Sequence, residues 1–369
     1  MKELLAIVEA RARSSHRPHV LATVVKVEGS SYRRPGARML VSAAGRVAGS
    51  VSGGCLERNV VSRSLEVLME NRPRLIRYDT NDQDDLELGS SLGCQGTIEI
   101  LLQPVPAGLW PLEELVAGVM AEGKPLAWAL PYRVDGCPGM VGEVFPIRAE
   151  GSVGDDFLHG EALREEAERV MASKRPGHVS WRNGESVTEI LIERIAPPLS
   201  LVIFGAGHDA PPLVRLAKEL GHRVTVVDRR IEFAQAEHFP EADAVLCLPV
   251  HRVPGKVPLG EGSAVVVMNH HYETDRALLG LLLSRPLSYL AMLGPRKRTD
   301  RMLTELSREG MELSSEGLAA LRAPAGLDIG SDNPEEIALS ILAEIQAVVA
   351  GRSAVALRSR PGPIHTLAL

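Results

Sequence analysis

The run Gly205-Ala206-Gly207-His208-Asp209-Ala210 joins a stretch of buried-strand character, Leu199–Phe204, to a helical stretch, Pro211–Leu220. Two glycines one residue apart, followed by a small residue, form the dinucleotide fingerprint, with Ala210 in its third place. Gly205 would make the tight turn and Gly207 would let a pyrophosphate approach the backbone. The helix N-terminus would then direct its N–H groups at the anion. Asp228 ends the next strand, 23 residues after Gly205, and offers a carboxylate to a ribose hydroxyl. Arg229 and Arg230 beside it would instead accept a phosphate, so the nucleotide preference stays open. The plainer alternative is a fold that keeps this turn and binds no nucleotide.

Other loops are expected at the same sheet edge. Asn269-His270-His271-Tyr272-Glu273-Thr274-Asp275 follows a strand, and so does Gly294-Pro295-Arg296-Lys297-Arg298. The second offers a glycine turn and three cations, a grip for a further phosphate. Adjacent histidines in a loop usually point apart and a metal needs three or four convergent ligands, so no metal site is assigned. In the first half, Gly53-Gly54-Cys55 precedes a helical pattern in which Leu56, Val60, Ser64 and Leu68 share a face. A helix N-terminus favours a thiolate, which makes Cys55, with Glu57 close by, a candidate reactive or ligating thiol. Cys94 lies in a similar turn, Gly93-Cys94-Gln95-Gly96; burial as small core residues is the alternative for both. Cys137 and Cys247 read as structural.

Alternation of strands and helices after Pro197-Pro198 positions the glycine loop. Arg223–Val227, Ala244–Leu248, Ala264–Met268 and Ser288–Leu293 read as short strands and Arg276–Leu283 as a helix, the pattern of a doubly wound parallel sheet. A last helix begins at Pro334, with Asn333 as N-cap and Glu336 placed for a capping box. Before the proline pair, residues 1–104 read as an α+β unit. It contains a helix over 3–13, a strand over His19–Val27, a hairpin over Arg38–Ser42 and Arg46–Ser50, and a strand over Thr97–Leu102. Residues 105–197 are expected to extend that unit, with helices near Leu112–Glu122 and Glu161–Ser173 and strands near Leu126–Tyr132 and Val187–Ile195. Residues 198–350 form the Rossmann-like domain, and 351–369 read as a loose tail.

The 369 residues suit two domains, and only 4% are aromatic. A formal charge of −6 gives no sign of a polyanion partner, so Arg33-Arg34 and Arg296-Lys297-Arg298 read as local sites and no nucleic acid is expected. There is no run of about 18 apolar residues for a membrane span and no secretory pattern at the start. Four scattered cysteines, none in a Cys-x-x-Cys pair, fit a reducing compartment, and the expectation is a cytoplasmic protein.

Taken together, several segments resemble the XdhC/CoxI family of xanthine dehydrogenase accessory factors over nearly the whole length. In the first half these are Gly29-Ser30-Ser31, Arg33-Arg34-Pro35-Gly36-Ala37-Arg38-Met39, Gly53-Gly54-Cys55-Leu56-Glu57 and Gly93-Cys94-Gln95-Gly96. In the second they are Gly205-Ala206-Gly207-His208, Val226-Val227-Asp228-Arg229, Leu293-Gly294-Pro295-Arg296-Lys297-Arg298, Gly326-Leu327-Asp328-Ile329-Gly330 and Pro334–Ile345. Two places depart from the family pattern: Pro295, where serine is common, and Asn269-His270-His271 in place of a His-Asp pair.

The resemblance implies an N-terminal XdhC/CoxI-type domain followed by a Rossmann-like one. It also implies a maturation factor that binds the molybdenum cofactor and helps deliver its sulfurated form to a xanthine dehydrogenase-type enzyme, more a chaperone than an enzyme. The candidate cofactor site draws on Gly53, Gly54, Cys55, Glu57, Cys94, Gly205, Gly207, His208, Asp228, Gly294 and Arg296; that Cys55 contacts molybdenum or passes sulfur is a hypothesis beyond the resemblance. A cysteine desulfurase is a further expected partner, and a labile ligand wrapped between subunits would make the protein a homo-oligomer. Two rival readings remain. One is an NAD(P)-dependent oxidoreductase with His270 or His271 as proton donor; the other is a docking adaptor that holds no cofactor.

Overall fold

The computed structural model describes residues 1–29, 31–54, 56–79, 96–147 and 160–359. They divide into two compact units, Met1–Pro197 and Pro198–Leu369, at a proline pair that supplies no N–H for a sheet ladder.

The first unit opens with helix α1 (Lys2–Arg13) and strand β1 (His19–Gly29). A hairpin of β2 (Arg38–Ser42) and β3 (Gly45–Gly49) follows, then α2 (Glu57–Glu70), β4 (Arg74–Asp79) and β5 (Gly96–Val105). These strands make an antiparallel sheet ordered β3-β2-β1-β5-β4. Residues 105–197 add α3 (Pro111–Glu122), β6 (Leu126–Val134), β7 (Phe145–Ile147), α4 (Gly160–Ser173), β8 (Gly177–Asn183) and β9 (Ser186–Ile195). They build a second antiparallel sheet of their own, ordered β7-β6-β9-β8.

The run of β1 is buried from His19 to Val25, because both faces of its sheet are covered. On one face Leu56, Val60 and Val67, from α2 and the turn before it, pack on Val20, Ala22, Val24 and Ile100. On the other, Val25 and Leu101 meet Leu130, Tyr132 and Leu191 of the second sheet. Helix α4 covers the far side of that second sheet through Leu163, Ala167 and Val170. The layer between the sheets also holds ion pairs: Arg38 with Glu193, Lys26 with Glu189, and Arg133 with Glu99 and Glu189.

The second unit runs β10 (Ser200–Phe204), α5 (Ala210–Glu219), β11 (Arg223–Asp228), β12 (Ala244–Cys247), β13 (Ser263–Val267), α6 (Tyr272–Leu283), β14 (Tyr289–Met292), α7 (Arg296–Arg308), α8 (Ser315–Ala320), β15 (Leu321–Arg322) and α9 (Pro334–Val349). All six strands are parallel in the order β12-β11-β10-β13-β14-β15, the doubly wound Rossmann order. Leu201, Ile203, Val226 and Val266 face α5 and α9, whereas Val202, Phe204, Val265 and Val267 face α6 and α7. Two-sided burial explains why these strands are short, continuous apolar runs.

Arg296-Lys297-Arg298, expected in a loop, instead opens α7 with Pro295 as its N-cap. Proline in that position cannot extend a helix backwards but starts one readily, and Thr299, Met302 and Leu306 bury the helix's inner face. Asn333 caps α9 by accepting the Glu336 N–H at 2.9 Å. The return bond of the capping box is displaced by one residue: Glu336 accepts from the Asp332 N–H, at 2.8 Å. Gly326 has φ +95° and its N–H donates to Glu344, which also receives the Tyr289 hydroxyl. A side chain at Gly326 would meet Ser340 Oγ at 2.3 Å, so that segment serves to dock α9 on the sheet.

Candidate functional site

The carboxyl edge of the parallel sheet carries Gly205, Gly207 and His208 after β10, Asp228 at the end of β11, and Gly294 with Arg296 at the start of α7 after β14; the loop after β13 lies beside them. The strand order reverses between β10 and β13, so the crevice of a doubly wound fold lies between their loops. Gly205 has φ +116°, its N–H donates to Val227 O at 2.9 Å, and an added Cβ would lie 2.5 Å from Met268 O. Only glycine fits there. Gly207 differs, because an added Cβ would meet nothing within 4 Å.

Asp228 is 2% exposed, and its carboxylate is fully engaged. Oδ2 accepts from the Ala206 N–H at 2.9 Å and from a terminal guanidinium nitrogen of Arg230 at 2.8 Å; Oδ1 accepts from Arg230 N and Nε at 2.9 and 3.0 Å. Four bonds fill the roughly four acceptor sites of an ionised carboxylate. In this arrangement the carboxylate serves the loop itself, where a ribose hydroxyl had been expected. Burial pushes this group's pKa up, but the bonds from Arg230 and Ala206 more than reverse that and hold it below the usual aspartate value.

The helix N-terminus is also changed. Ala210 donates its N–H to Gly207 O at 3.1 Å, and Pro211 and Pro212 have none, so the first turn of α5 presents no free donor to an anion. The N–H groups of Gly207 and His208 have no partner among the described residues. Asp209 stands at the N-cap and its Oδ2 lies 3.1 Å from His270 Nε2, a hydrogen bond across the crevice. His270 has φ +58°, while His271 turns away and caps α6, its Nδ1 accepting from Thr274. The two histidines therefore serve different partners.

Charge at this edge is unevenly matched. Arg298 is not free for a ligand: it donates to Asp275 at 2.6 Å, and Asn269 donates to the same buried carboxylate at 3.0 Å. Asp228 is matched by Arg230. Arg229, Arg296 and Lys297 are exposed and have no acidic partner among the described residues. Beside Asp228, the space walled by Val227, Leu248, Val253 and Leu278 is a cavity of about 10 Å³, no more than a water's worth.

In the first unit, Gly53 and Gly54 precede α2, and Gly54 has φ +109°. Ser52 Oγ accepts from Gly54 N at 3.0 Å and from Leu56 N at 3.3 Å. Glu57 accepts from Ser50 Oγ at 2.6 Å, and exposed Tyr32 stacks beside Gly53. Cys55 and Cys94 lie outside the described residues. Cys137 is half-buried, and Cys247 is exposed at the end of β12, its Sγ 3.6 Å from Arg229 O. Two signals for this site went unread in the sequence: Pro211-Pro212, which strips donors from the helix start, and Arg230, two residues from the aspartate it neutralises.

A doubly wound unit whose glycine loop is tied to its own aspartate, preceded by a two-sheet α+β unit, defines a Rossmann-containing protein of two units. The chain belongs to the XdhC and CoxI family. Residues 12–79 match the model of that family and residues 201–345 match the XdhC Rossmann domain. It is 32% identical, over 88% of its length and 92% of the relative's, to a probable xanthine dehydrogenase subunit of Bacillus subtilis. It is 24% identical, over 91% and 85% respectively, to the molybdenum cofactor insertion chaperone PaoD of Escherichia coli. A crystal structure described as a xanthine dehydrogenase from Bacillus halodurans shares 29% identity with a TM-score of 0.75 over 98% of each chain. Among the described residues no helix is long and apolar enough to cross a membrane.

Proposed function

We propose that the chain is a cytoplasmic maturation factor that binds the molybdenum cofactor and helps deliver its sulfurated form to a xanthine dehydrogenase-type enzyme. The observation that carries this reading is the carboxyl edge of the parallel sheet. There a saturated Asp228 leaves no acceptor for a ribose, while exposed Arg229, Arg296 and Lys297 follow strands of the same sheet edge as the free N–H groups of Gly207 and His208. Surplus positive charge and bare backbone donors suit a phosphate-bearing, oxygen-rich anion. The molybdenum cofactor is such an anion, and the name of the Escherichia coli relative supports the choice. When bound, the cofactor would supply the metal centre of the client enzyme. This chain's own part is to hold the anionic end at Gly207, His208, Arg296 and Lys297 and to release it to the client. Gly205 and Asp228 shape the turn, and Gly294 (φ +113°) shapes the turn before α7.

Gly53, Gly54, Glu57 and the thiols Cys55 and Cys94 of the first unit are further candidates for cofactor contact. A cysteine desulfurase as sulfur donor and a homo-oligomeric state are parts of it too. The NAD(P) oxidoreductase reading is disfavoured, since neither a ribose acceptor nor a full helix N-terminus is offered.

The test is reconstitution of a cofactor-free client enzyme with cofactor supplied through this chain. Arg296→Glu with Lys297→Glu is expected to weaken cofactor binding at least tenfold and to slow client activation in step. Full activation by that variant with its cofactor binding lost would favour the docking adaptor instead. Cys55→Ala isolates the thiol: unchanged binding and unchanged activation would remove Cys55 from the account.

A further inference from the structure

A cavity of about 190 Å³ lies between the two sheets of the first unit, far larger than the one beside Asp228. Its walls include Leu21, Trp110 and Leu130; among its polar side chains, half-buried Gln103 and exposed Glu143 included, three are deeply buried: Thr23, Arg38 and Trp128. All three are more than nine-tenths buried, and each carries an atom with no hydrogen-bond partner: Thr23 Oγ1, Arg38 Nε and Trp128 Nε1. They are neighbours. Thr23 and Arg38 stand directly opposite each other on β1 and β2, and the Arg38 guanidinium lies 4.9 Å from the centre of the Trp128 ring.

A buried donor left unmade costs about 1–3 kcal/mol, so three on the facing sheets mark a cavity shaped for something that accepts. Water alone is a poor answer, because each molecule needs two to four polar partners and most of this wall is aliphatic or aromatic. The Arg38 charge is already spent. One terminal nitrogen donates to Gly36 O at 2.8 Å and to Glu193 Oε1 at 3.1 Å, and the other donates to Glu193 Oε2. A further carboxylate here would be buried without a counter-charge, which is strongly unfavourable. What the three free donors can take is a neutral acceptor.

We infer that this inter-sheet cavity is a binding site for a small, neutral, ring-sized molecule carrying a carbonyl oxygen, held by Thr23, Arg38 Nε and Trp128 Nε1. The volume suits a single ring with a short polar substituent, since a dry cavity of about 150 Å³ accepts benzene. Exposed Pro106 and Gly139 border it, giving a way in from solvent. Gln103 fixes part of the wall by donating from Nε2 to Gly142 O at 2.9 Å.

The test is calorimetric titration of the full chain with three probes: benzamide, benzoate and toluene. Benzamide is expected to bind most tightly and to perturb tryptophan fluorescence, since Trp128 donates to it. Thr23→Val, which removes one donor with little change of shape, should weaken benzamide about tenfold and leave toluene within about twofold; Trp128→Phe, which removes another donor but also enlarges the cavity, should weaken benzamide relative to toluene. Should Trp128→Phe fail to fold, Thr23→Val alone decides. Equal binding of toluene and benzamide, indifferent to these variants, would reduce the site to an apolar void. Tightest binding of benzoate would overturn the neutral-ligand assignment, and saturation by none of the three would overturn the site.

Discussion

The carboxylate of Asp228 accepts the backbone N–H of Ala206 at 2.9 Å, tying the end of β11 to the turn that follows β10. In a dinucleotide enzyme an acidic residue at this place faces the ribose. Here Arg230 folds back from two residues along the chain and occupies the remaining acceptor positions. The aspartate has become part of the loop's own scaffold.

Asp228→Asn should therefore act on stability. An amide nitrogen in place of one oxygen would face donors with a donor and leave Arg230 without its counter-charge. The expected cost is about 2–3 kcal/mol, read as a lower urea midpoint for the second unit. A variant of wild-type stability that had lost only nucleotide affinity would restore the ribose role.

Acid should weaken the same unit. Asp243 resembles Asp228: burial pushes its pKa up, but bonds from Lys218 and the Val224 N–H hold it below the ordinary value. A carboxylate depressed in the folded state contributes stability that is complete above the unfolded pKa, near 3.9, and is lost as pH falls through the lower folded value. Urea midpoints measured from pH 6 downward should stay level and then drop below about pH 4. Asp228→Asn should make that drop shallower.

The two glycines of the loop should separate cleanly. Gly205→Ala combines a positive φ with a Cβ 2.5 Å from Met268 O, so a loss of several kcal/mol or failure to fold is expected. Gly207→Ala has open space and should change stability by no more than about 0.5 kcal/mol, measured by thermal melting. A larger Gly207→Val side chain should sit in the anion's place and weaken cofactor binding while the melting temperature holds.

Glu193→Gln tests the polar layer of the first unit. The Arg38–Glu193 pair is buried, and removing one charge strands the other, at a cost of about 3–5 kcal/mol. Loss of cooperative melting, or a midpoint shifted to that extent, is expected from circular dichroism. An unchanged midpoint would mean that Arg38 finds water instead.

What the sequence reveals depends on how local the cause is. The glycine turn, Asp228 and the Asn333 cap announce themselves because each acts over a few residues or one strand–helix repeat. The saturation of Asp228 was less legible, although Arg230 and the two prolines after Asp209 are local signals. The Arg38–Glu193 pair joins residues 155 apart, and no local pattern marks such a partner. Strand β7 has three residues and β15 two, too few for any periodicity to show. Strand β8 escaped for a different reason: its Trp, His and Ser residues alternate weakly, since one face is largely exposed.

The central claim is that the carboxyl edge of the parallel sheet holds an anionic cofactor and has given up the ribose grip. Equilibrium binding of purified molybdenum cofactor and of NAD to the wild-type chain, each titrated alone and then in competition, tests it most directly. Saturable binding of the cofactor, weakened by salt and not displaced by millimolar NAD, is the predicted result. NAD binding tighter than the cofactor and abolished by Asp228→Asn would contradict it.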